Sequence, residues 1–210
     1  MTGVVIVDYG AGNISSVRNA LRHLGSEPLV SHDPVHIFNA NSVILPGVGS
    51  FGAAMSFLKT AGADVAVVQF AKTGKPLLGI CLGLQLLFDR STEFGETPGL
   101  GLIGGEVEEL HKIAQSSEDW KIPNVGWRSL KPTREKPDHI LLGLPSDAEF
   151  YFTHSFSAAR VDAEDVLATT RWSNADLVAV IRRDNLWGTQ FHPEKSGLHG
   201  LQLLRNFLSA

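Results

Sequence analysis

The stretch that decides the fold runs from Lys75 to Phe88 and reads KPLLGICLGLQLLF. It contains Cys81, the only cysteine in the chain. Pro76 to Ile80 is a short apolar run bounded by glycine and proline, which is typical of a buried strand, and Leu82 to Phe88 continues with helical spacing. The sequence therefore predicts that Cys81 lies at a corner between a strand and a helix.

Two glycines flank this cysteine and indicate a reactive corner. Gly79 and Gly83 complete a Gly-x-Cys-x-Gly pattern, the thiol counterpart of the nucleophile elbow, in which small neighbours tolerate a sharp turn. The N–H groups of Leu82 and Gly83 begin the helix, and the positive end of a helix stabilises a thiolate or an oxyanion. The alternative is an inert core cysteine, since free cysteine is among the most buried residue types.

The bulk properties of the chain favour one α/β domain that spans residues 1–210. With a formal net charge of −4 and 43% hydrophobic residues, the composition points neither to disorder nor to nucleic-acid binding. A lone cysteine excludes an intrachain disulfide framework and fits a reducing compartment. The first residues lack the basic region of a signal peptide, and no apolar run approaches a membrane span. We therefore expect a soluble, cytoplasmic protein.

Hydrophobic patterning in the first half alternates strands with helices, as in a parallel sheet. Val4 to Val7 is a continuous β-branched run, typical of a strand buried on both faces. The glycine-rich turn from Asp8 to Ser16 half-matches a dinucleotide-binding fingerprint, but its third glycine is missing, which favours a tight turn. Further strands are predicted at Leu29–Val30 and Ser42–Leu45, and helices at Val17–Leu24, Ala53–Leu58 and Asp64–Lys72.

The second half is predicted to contain more strands than helices. Glycine and proline make Thr92–Gly105 a loop region, and Ser116–Lys121 is polar and expected to be mobile. Strands are expected at Glu106–Leu110, Glu149–Ser157, Val166–Arg171, Leu177–Ile181 and Leu186–Phe191, the last three in antiparallel hairpins. The final segment, Gly197–Leu208, is amphipathic, with one apolar face formed by Leu198, Leu201, Leu204 and Leu208.

A second glycine-rich segment, Pro46 to Gly52, follows the strand predicted at Ser42–Leu45. The carboxyl end of a strand in an open parallel sheet is where ligands bind, and glycine N–H groups can approach a ligand closely. From composition alone, a flexible connector is equally consistent. Glycines on both sides of Val48 also let the peptide units rotate at little steric cost, so a resting chain can hold an N–H group away from a ligand.

His192 and Glu194 supply the partners that a catalytic cysteine requires. Pro193 forces His192 out of the α region, and residues i and i+2 of an extended segment point to the same side. Glu194 can then fix the tautomer of His192 while the other ring nitrogen faces a thiol. One Cys, one His and one Glu lack the paired spacing of a metal site, so we expect no metal and no cofactor. The other seven histidines are expected to be surface or structural.

These motifs resemble those of the class I, or triad, glutamine amidotransferases. The resemblance rests on residues 79–85, GICLGLQ, together with His192-Pro193-Glu194, and it extends over essentially the whole chain. It implies a doubly wound, mostly parallel sheet flanked by helices, with an added antiparallel section. It also implies that Cys81 attacks the side-chain amide of glutamine, that His192 protonates the departing ammonia, and that Glu194 orients His192.

The same resemblance assigns binding roles. The oxyanion would be held by the N–H groups of Leu82 and of Gly49 in the loop at residues 47–49. The positions that match glutamine-binding residues of the family are Gly47, Gly49, Gln85, Ser155 and Phe156.

Three further stretches are similar to one branch of the family, the glutaminase subunits of a histidine-biosynthesis synthase. They are DYGAGN at residues 8–13, PGVGSF at 46–51 and YFTHSF at 151–156, together with Lys195-Ser196. This branch implies a heterodimer with a (β/α)₈-barrel cyclase subunit that receives the ammonia. By resemblance, the docking face comprises Asn13, Trp127, Tyr151 and Lys195, although the segment from Ile122 to Leu130 taken alone favours a buried Trp127.

Four positions depart from the pattern of this branch and leave the partner contacts open. Members commonly carry His, Met and Asn where this chain has Asn124, Val125 and Arg128, and Tyr where it has Phe156. Related glutaminases serve a sugar-amidinating pathway for surface polysaccharides, which is one alternative role. A free-standing cysteine hydrolase of γ-glutamyl substrates and an inert α/β module with a redox-sensing Cys81 are the others.

Overall fold

The computed structural model of the chain describes residues 2–10, 13–114 and 121–210. The strands are β1 (Thr2–Val7), β2 (Leu29–Ser31), β3 (Ala40–Leu45), β4 (Leu77–Ile80), β5 (Phe88–Ser91), β6 (Thr97–Pro98), β7 (Ile103–Glu109), β8 (Asn124–Ser129), β9 (Lys131–Pro132), β10 (Glu149–His154), β11 (Phe156–Ala159), β12 (Val166–Trp172), β13 (Ala175–Arg183) and β14 (Leu186–Thr189). The helices are α1 (Ile14–His23), α2 (Pro34–Phe38), α3 (Phe51–Ala61), α4 (Ala63–Ala71), α5 (Leu82–Leu86), α6 (Leu110–Ala114) and α7 (Gly197–Leu208), with 3₁₀ turns at His139–Leu141 and Pro193–Lys195.

The largest sheet has the strand order β2-β1-β3-β4-β14-β13-β12-β9. The pairs from β2 to β14 are parallel, and those from β14 to β9 are antiparallel. Side chains of β1 alternate between two cores: Val5 and Val7 lie in one, and Val4 and Ile6 in the other. This two-sided burial explains the continuous apolar run of the strand. The predicted mostly parallel sheet with an antiparallel section is confirmed.

Helices cover both faces of this sheet. Buried residues of α3 and α4, including Met55 and Phe70, belong to one core. Buried residues of α1 and α7, including Val17 and Leu204, belong to the other. Two smaller sheets, β10-β8 and β11-β7-β5-β6, are formed by strands that lie between β4 and β12 in the sequence. The predicted doubly wound arrangement is thereby confirmed, and the smaller sheets supply further walls around Cys81.

The prediction for residues 82–110 was wrong in three details. The helix from Leu82 ends at Leu86 and Phe88 begins β5; Thr92–Gly105 contains β6 and the start of β7; and Leu110 begins α6 instead of ending a strand. The reason is tertiary. The carbonyls of Leu86 and Leu87 accept hydrogen bonds from the N–H groups of Leu100 and Leu102, each at 2.9 Å, and so cannot continue a helix.

Two side chains are exposed where the local sequence pattern favoured burial. Trp127 is 52% exposed, because β8 alternates between an inward face that carries Asn124 and an outward face that carries Trp127. Leu198 is 83% exposed, because the buried face of α7 is centred on Leu203, Leu204 and Phe207.

Several other boundaries shift without changing the architecture. The segment Glu149–Ser157 breaks at Ser155, so that β10 and β11 join different sheets, and the last strand of the main sheet ends at Thr189. The predicted hairpins β12–β13 and β13–β14 are confirmed. The short helix α2 was missed, although Asp33 caps it by accepting a hydrogen bond from the Val35 N–H at 2.8 Å. The prediction of mobility at Ser116–Lys121 falls, apart from Lys121, outside the described residues.

Within the described ranges, none of the helices taken singly has the length and apolar character needed to cross a membrane; the bent pair α3 and α4 would pass by length and composition alone.

Candidate active site

Cys81 occupies the sharp turn between β4 and α5. Its backbone has φ +52° and ψ −105°, a conformation that residues other than glycine rarely adopt. The turn is fixed on both sides, because the Cys81 N–H donates to the Thr189 carbonyl at 2.7 Å and its own carbonyl accepts from the Gln85 N–H at 3.1 Å. The strained geometry is that of a nucleophile elbow, at the corner predicted from the sequence.

The flanking glycines are required by close packing. A Cβ atom at Gly83 would lie 1.9 Å from the carbonyl oxygen of Leu45, and one at Gly79 would lie 2.6 Å from the carbonyl oxygen of Gly83. Both neighbours are backbone atoms of the sheet or of the elbow itself, which cannot move aside cheaply. The Gly-x-Cys-x-Gly pattern therefore lets the elbow approach β3 closely enough to place Cys81 above the sheet.

His192 and Glu194 form a buried pair. The Nδ1 atom of His192 lies 2.7 Å from Oε1 of Glu194, and both side chains are fully buried. The pairing was predicted from an extended segment, and that detail was wrong: Pro193 starts a 3₁₀ turn, and this turn brings the two side chains together. A hydrogen bond of this kind keeps a proton on Nδ1 and fixes the orientation of the ring.

The other nitrogen of His192, Nε2, is buried, and the ring lies near the thiol of Cys81. Nε2 has no hydrogen-bond partner within the described residues. Burial by itself lowers the pKa of His192, but the proximity of Cys81 and Glu194 outweighs burial and raises the pKa to about 9. Near neutral pH the imidazole is therefore protonated and can act as an acid.

Asn13 reaches the same pair from the other end of the chain. Its side-chain amide donates a hydrogen bond to Oε1 of Glu194, the oxygen that also bonds His192. The second carboxylate oxygen, Oε2, is buried without a partner among the described residues. Asn13 was predicted only as a docking residue, and the structure adds a contact with the Glu194 carboxylate.

The remaining predicted docking residues lie next to the 3₁₀ turn. Lys195 is exposed on it, and Trp127 and Tyr151 face each other across β8 and β10 with ring centroids 6.0 Å apart. The Tyr151 carbonyl accepts a hydrogen bond from the His192 N–H at 2.9 Å. The predicted docking face is thus connected directly to the backbone that carries the buried pair.

The N–H of Leu82, predicted to hold an oxyanion, is already bonded. It donates to the carbonyl of Gly47 at 3.4 Å. Tyr9 packs closely against Gly47: a Cβ atom at this position would lie 2.2 Å from the Tyr9 hydroxyl oxygen, so glycine is required here. Gly49 adopts φ +135°, a conformation that favours glycine. In this conformation the Gly47 carbonyl oxygen therefore accepts the hydrogen bond that the Leu82 N–H would donate to an oxyanion.

A cavity of about 250 Å³ opens beside the thiol. Of the predicted glutamine-binding residues, Gly49, Gln85, Ser155 and Phe156 line it, whereas Gly47 does not. The full lining consists of Val48, Gly49, Cys81, Leu82, Gln85, Glu93, Phe94, Thr153, His154, Ser155 and Phe156.

Gln190 contacts the nucleophile and was missed by sequence reasoning. Its buried amide donates to Sγ of Cys81 at 3.6 Å and accepts from Nε2 of Gln85 at 3.2 Å. Its position two residues before His192, directly after β14, was the available signal. Side-chain amides at this place can orient the thiol without titrating.

His154, expected with six other histidines to be surface or structural, is buried and lines the cavity. Burial lowers its pKa to about 4, so the ring is neutral near pH 7. Its Nδ1 lies 2.8 Å from the Phe156 carbonyl oxygen and its Nε2 lies 2.9 Å from Nδ2 of Asn124. In the described part of the chain, no group of three or more His, Cys, Asp or Glu side chains is arranged to hold a metal ion.

Comparison with known proteins relates both the sequence and the fold to one family. Residues 5–210 match the family model described as glutamine amidotransferase class-I. Imidazole glycerol phosphate synthase subunit HisH of Wolinella succinogenes is 45% identical over 204 residues, which cover 97% of this chain and 98% of that protein. The protein of the same name from Halalkalibacterium halodurans is 44% identical over 202 residues, covering 96% and 93%.

A third relative and one solved structure agree with these. Subunit HisH 1 of Legionella pneumophila strain Lens is 41% identical over 211 residues, covering 99% of each chain. A crystal structure described as a glutamine amidotransferase superposes with a TM-score of 0.75 and covers 99% of this chain and 98% of its own. It is 23% identical in sequence, so that likeness concerns the fold.

Proposed function

Because the chain belongs to the class I glutamine amidotransferase family, we propose that it is the glutaminase subunit of an imidazole glycerol phosphate synthase and that Cys81 is its nucleophile. Relatives of that name, 41–45% identical over nearly their whole length, support the assignment. The observation that carries it is the buried His192, which bonds to Glu194 through Nδ1 and lies close enough to Cys81 for the thiol to raise its pKa.

The proposed reaction begins with attack by the Cys81 thiolate on the side-chain amide carbon of glutamine. The carbonyl oxygen becomes an oxyanion, which the N–H groups of Leu82 and Gly49 stabilise. Protonated His192 then donates its Nε2 proton to the nitrogen, and ammonia leaves as the tetrahedral intermediate collapses to a thioester. Neutral His192 next removes a proton from water, which attacks the thioester and releases glutamate and the thiolate.

Glu194 and Asn13 support this cycle without contacting the substrate. The Glu194 carboxylate stabilises the imidazolium that acts as the acid, and Asn13 donates to the same carboxylate oxygen. Gln85, Ser155 and Phe156 line the cavity in which the glutamine side chain would be bound. No cofactor or metal takes part in the proposed steps.

The ammonia is passed to a (β/α)₈-barrel cyclase subunit in a heterodimer, in the pathway of histidine biosynthesis. The proposed docking face comprises Asn13, Trp127, Tyr151 and Lys195, with Trp127 offering the largest exposed apolar side chain of the four. The proposal includes a cytoplasmic location, because a reducing compartment keeps a lone cysteine in its reduced form.

The proposal is tested by co-expressing the chain with the cyclase from the same genome and measuring glutamate release from glutamine. We expect a stable heterodimer that forms the cyclase product from glutamine. If the chain assembles with the cyclase of a polysaccharide pathway instead, its function is in the sugar-amidinating pathway. Fast turnover by the purified chain alone would indicate a free-standing γ-glutamyl hydrolase, and oxidation of Cys81 by peroxide without glutamine hydrolysis would indicate a redox sensor.

A further inference from the structure

A chain of buried hydrogen bonds leads from Arg128 on β8 to the glutamine cavity. Arg128 Nε donates to Oδ1 of Asn124 at 2.6 Å. Nδ2 of Asn124 lies 2.9 Å from Nε2 of His154, and Nδ1 of His154 lies 2.8 Å from the carbonyl oxygen of Phe156. Asn124 and His154 are buried, and Arg128 is half-buried.

The direction of every bond in this chain is fixed by chemistry. A guanidinium can only donate, so the oxygen of the Asn124 amide faces Arg128 and its NH₂ group faces His154. Nε2 of His154 must then accept, and Nδ1 must carry the proton that is donated to the Phe156 carbonyl. Burial, together with the charges of His192 and Arg128, keeps the ring neutral. Only one tautomer of His154 satisfies all its partners.

The chain ends on groups that surround the thiol. The Phe156 carbonyl also accepts from Nε2 of Gln85 at 2.9 Å. The same Gln85 nitrogen donates to Gln190, whose amide donates to Sγ of Cys81 at 3.6 Å. The segment Thr153–Phe156, called here the cavity wall, lines the glutamine cavity. A change in the protonation or orientation of His154 would therefore move the cavity wall.

Asn124 and Arg128 are two of the positions that depart from the pattern of related glutaminases, and the structure joins them as a pair. They lie four residues apart on one face of β8, which directs both side chains to the same side. An asparagine at position 124 needs a donor for its buried oxygen, and Arg128 supplies one. The side chains of Asn124 and Arg128 face the cavity wall, whereas that of Trp127, between them in sequence, faces outward.

We propose that Arg128, Asn124 and His154 are positioning residues that set the affinity for glutamine by holding His154 as the Nδ1–H tautomer and thereby fixing the cavity wall. The inference rests on the proposed function, because it assigns these residues to glutamine binding. None of the three is a catalytic residue, since each acts through the Phe156 carbonyl.

The tautomer is read directly by ¹⁵N NMR of histidine-labelled protein. We expect His154 to show a protonated Nδ1 and an unprotonated Nε2 near neutral pH. Asn124→Leu and Arg128→Met should each abolish the single tautomer, because neither replacement can maintain the donor order. Asn124→Asp replaces the hydrogen-bond donor next to Nε2 of His154 by a carboxylate acceptor. We expect the carboxylate to raise the pKa of His154 enough for the ring to be protonated at neutral pH, although the positive charges of Arg128 and His192 lower that pKa. Asn174→Asp, the same change in the exposed turn between β12 and β13, is the control and should leave the spectrum unchanged.

The kinetic arm uses the heterodimer and measures glutamine hydrolysis. We expect Asn124→Leu and Arg128→Met to raise KM for glutamine about 10-fold, as for loss of one buried hydrogen bond, with kcat changed less than about 2-fold. An unaltered tautomer in both variants, or a fall in kcat at constant KM, would overturn the inference. Absence of glutaminase activity in the unmodified heterodimer would overturn the proposed function instead, and the NMR arm would still show whether Arg128 and Asn124 control His154.

Discussion

The backbone N–H of Leu82 donates a hydrogen bond to the carbonyl of Gly47 at 3.4 Å. In the proposed reaction this N–H must hold the oxyanion, so the loop carbonyl and the oxyanion compete for one donor. The Tyr9 hydroxyl packs against Gly47 and limits the movement of the loop toward Tyr9. A rotation of peptide units in the loop is therefore needed before the site can work, and the partner subunit is the natural source of the required binding energy.

The first prediction concerns this switch. The isolated chain should hydrolyse glutamine slowly, the cyclase should raise the rate modestly, and the cyclase with its own ligand bound should raise it by about 10²–10³-fold, the usual contribution of an oxyanion donor. Steady-state glutamate release under the three conditions is the measurement. A chain that turns over equally fast alone and in the liganded complex would show that no switch exists.

A matched pair of variants tests the role of the Gly49 N–H in the same assay. Gly49→Pro removes the N–H and should leave activity low under all three conditions. Gly49→Ala keeps the N–H but shares the backbone strain, because Gly49 has φ +135°. If the alanine variant is as inactive as the proline variant in the liganded complex, strain and not the lost donor explains the effect.

The second prediction concerns the pH dependence of kcat/KM. His192 must be protonated to act as the acid, and its pKa is about 9, so activity should fall as the pH rises through about 9. Glu194→Gln removes a charge that raises this pKa, so the alkaline limb should move to lower pH. The rate at neutral pH should fall less in Glu194→Gln than in His192→Asn, which removes the proton carrier. If the alkaline limb of kcat/KM lies at the same pH in Glu194→Gln as in the wild type, then the titration of His192 does not cause that limb.

The third prediction concerns stability in mild acid. His154 has a pKa of about 4 in the folded chain and an ordinary value of 6.5, so the unfolded chain binds the extra proton first as the pH falls. Stability should therefore be lost between about pH 6.5 and pH 4, by at most about 3 kcal/mol from this residue. Urea unfolding of the wild type and of His154→Gln should show a flatter pH dependence in the variant. Identical pH dependences would contradict the buried neutral state.

The fourth prediction concerns the partner. Trp127 is 52% exposed beside Tyr151, and exposed tryptophans that become buried in an interface carry much of its energy. Trp127→Ala should weaken binding to the cyclase by about 2 kcal/mol, or about 30-fold in Kd, by calorimetric titration. Val65→Ala, an equally exposed position on α4, should not change Kd. Equal effects of the two substitutions would remove Trp127 from the docking face.

Local patterns predicted much of this molecule, and contacts distant in sequence account for what they missed. The elbow at Cys81 followed from glycines within two residues of it. The end of α5 did not, because it depends on hydrogen bonds from Leu100 and Leu102, more than ten residues away. The segment around Trp127, taken alone, favoured a buried side chain, because the face of β8 that meets the rest of the chain is not encoded locally. Gln190 and His154 reach the site through pairings with Gln85 and Asn124 that no local periodicity encodes.

The central claim is that Cys81 is the nucleophile of a glutaminase that supplies ammonia to a cyclase. Its most direct test is glutamate release by the liganded heterodimer that carries Cys81→Ala. We predict that the variant folds and binds the cyclase, that glutamine hydrolysis falls to background, and that product still forms when ammonium salt is supplied at alkaline pH. Glutamine hydrolysis that survives in Cys81→Ala would contradict the account.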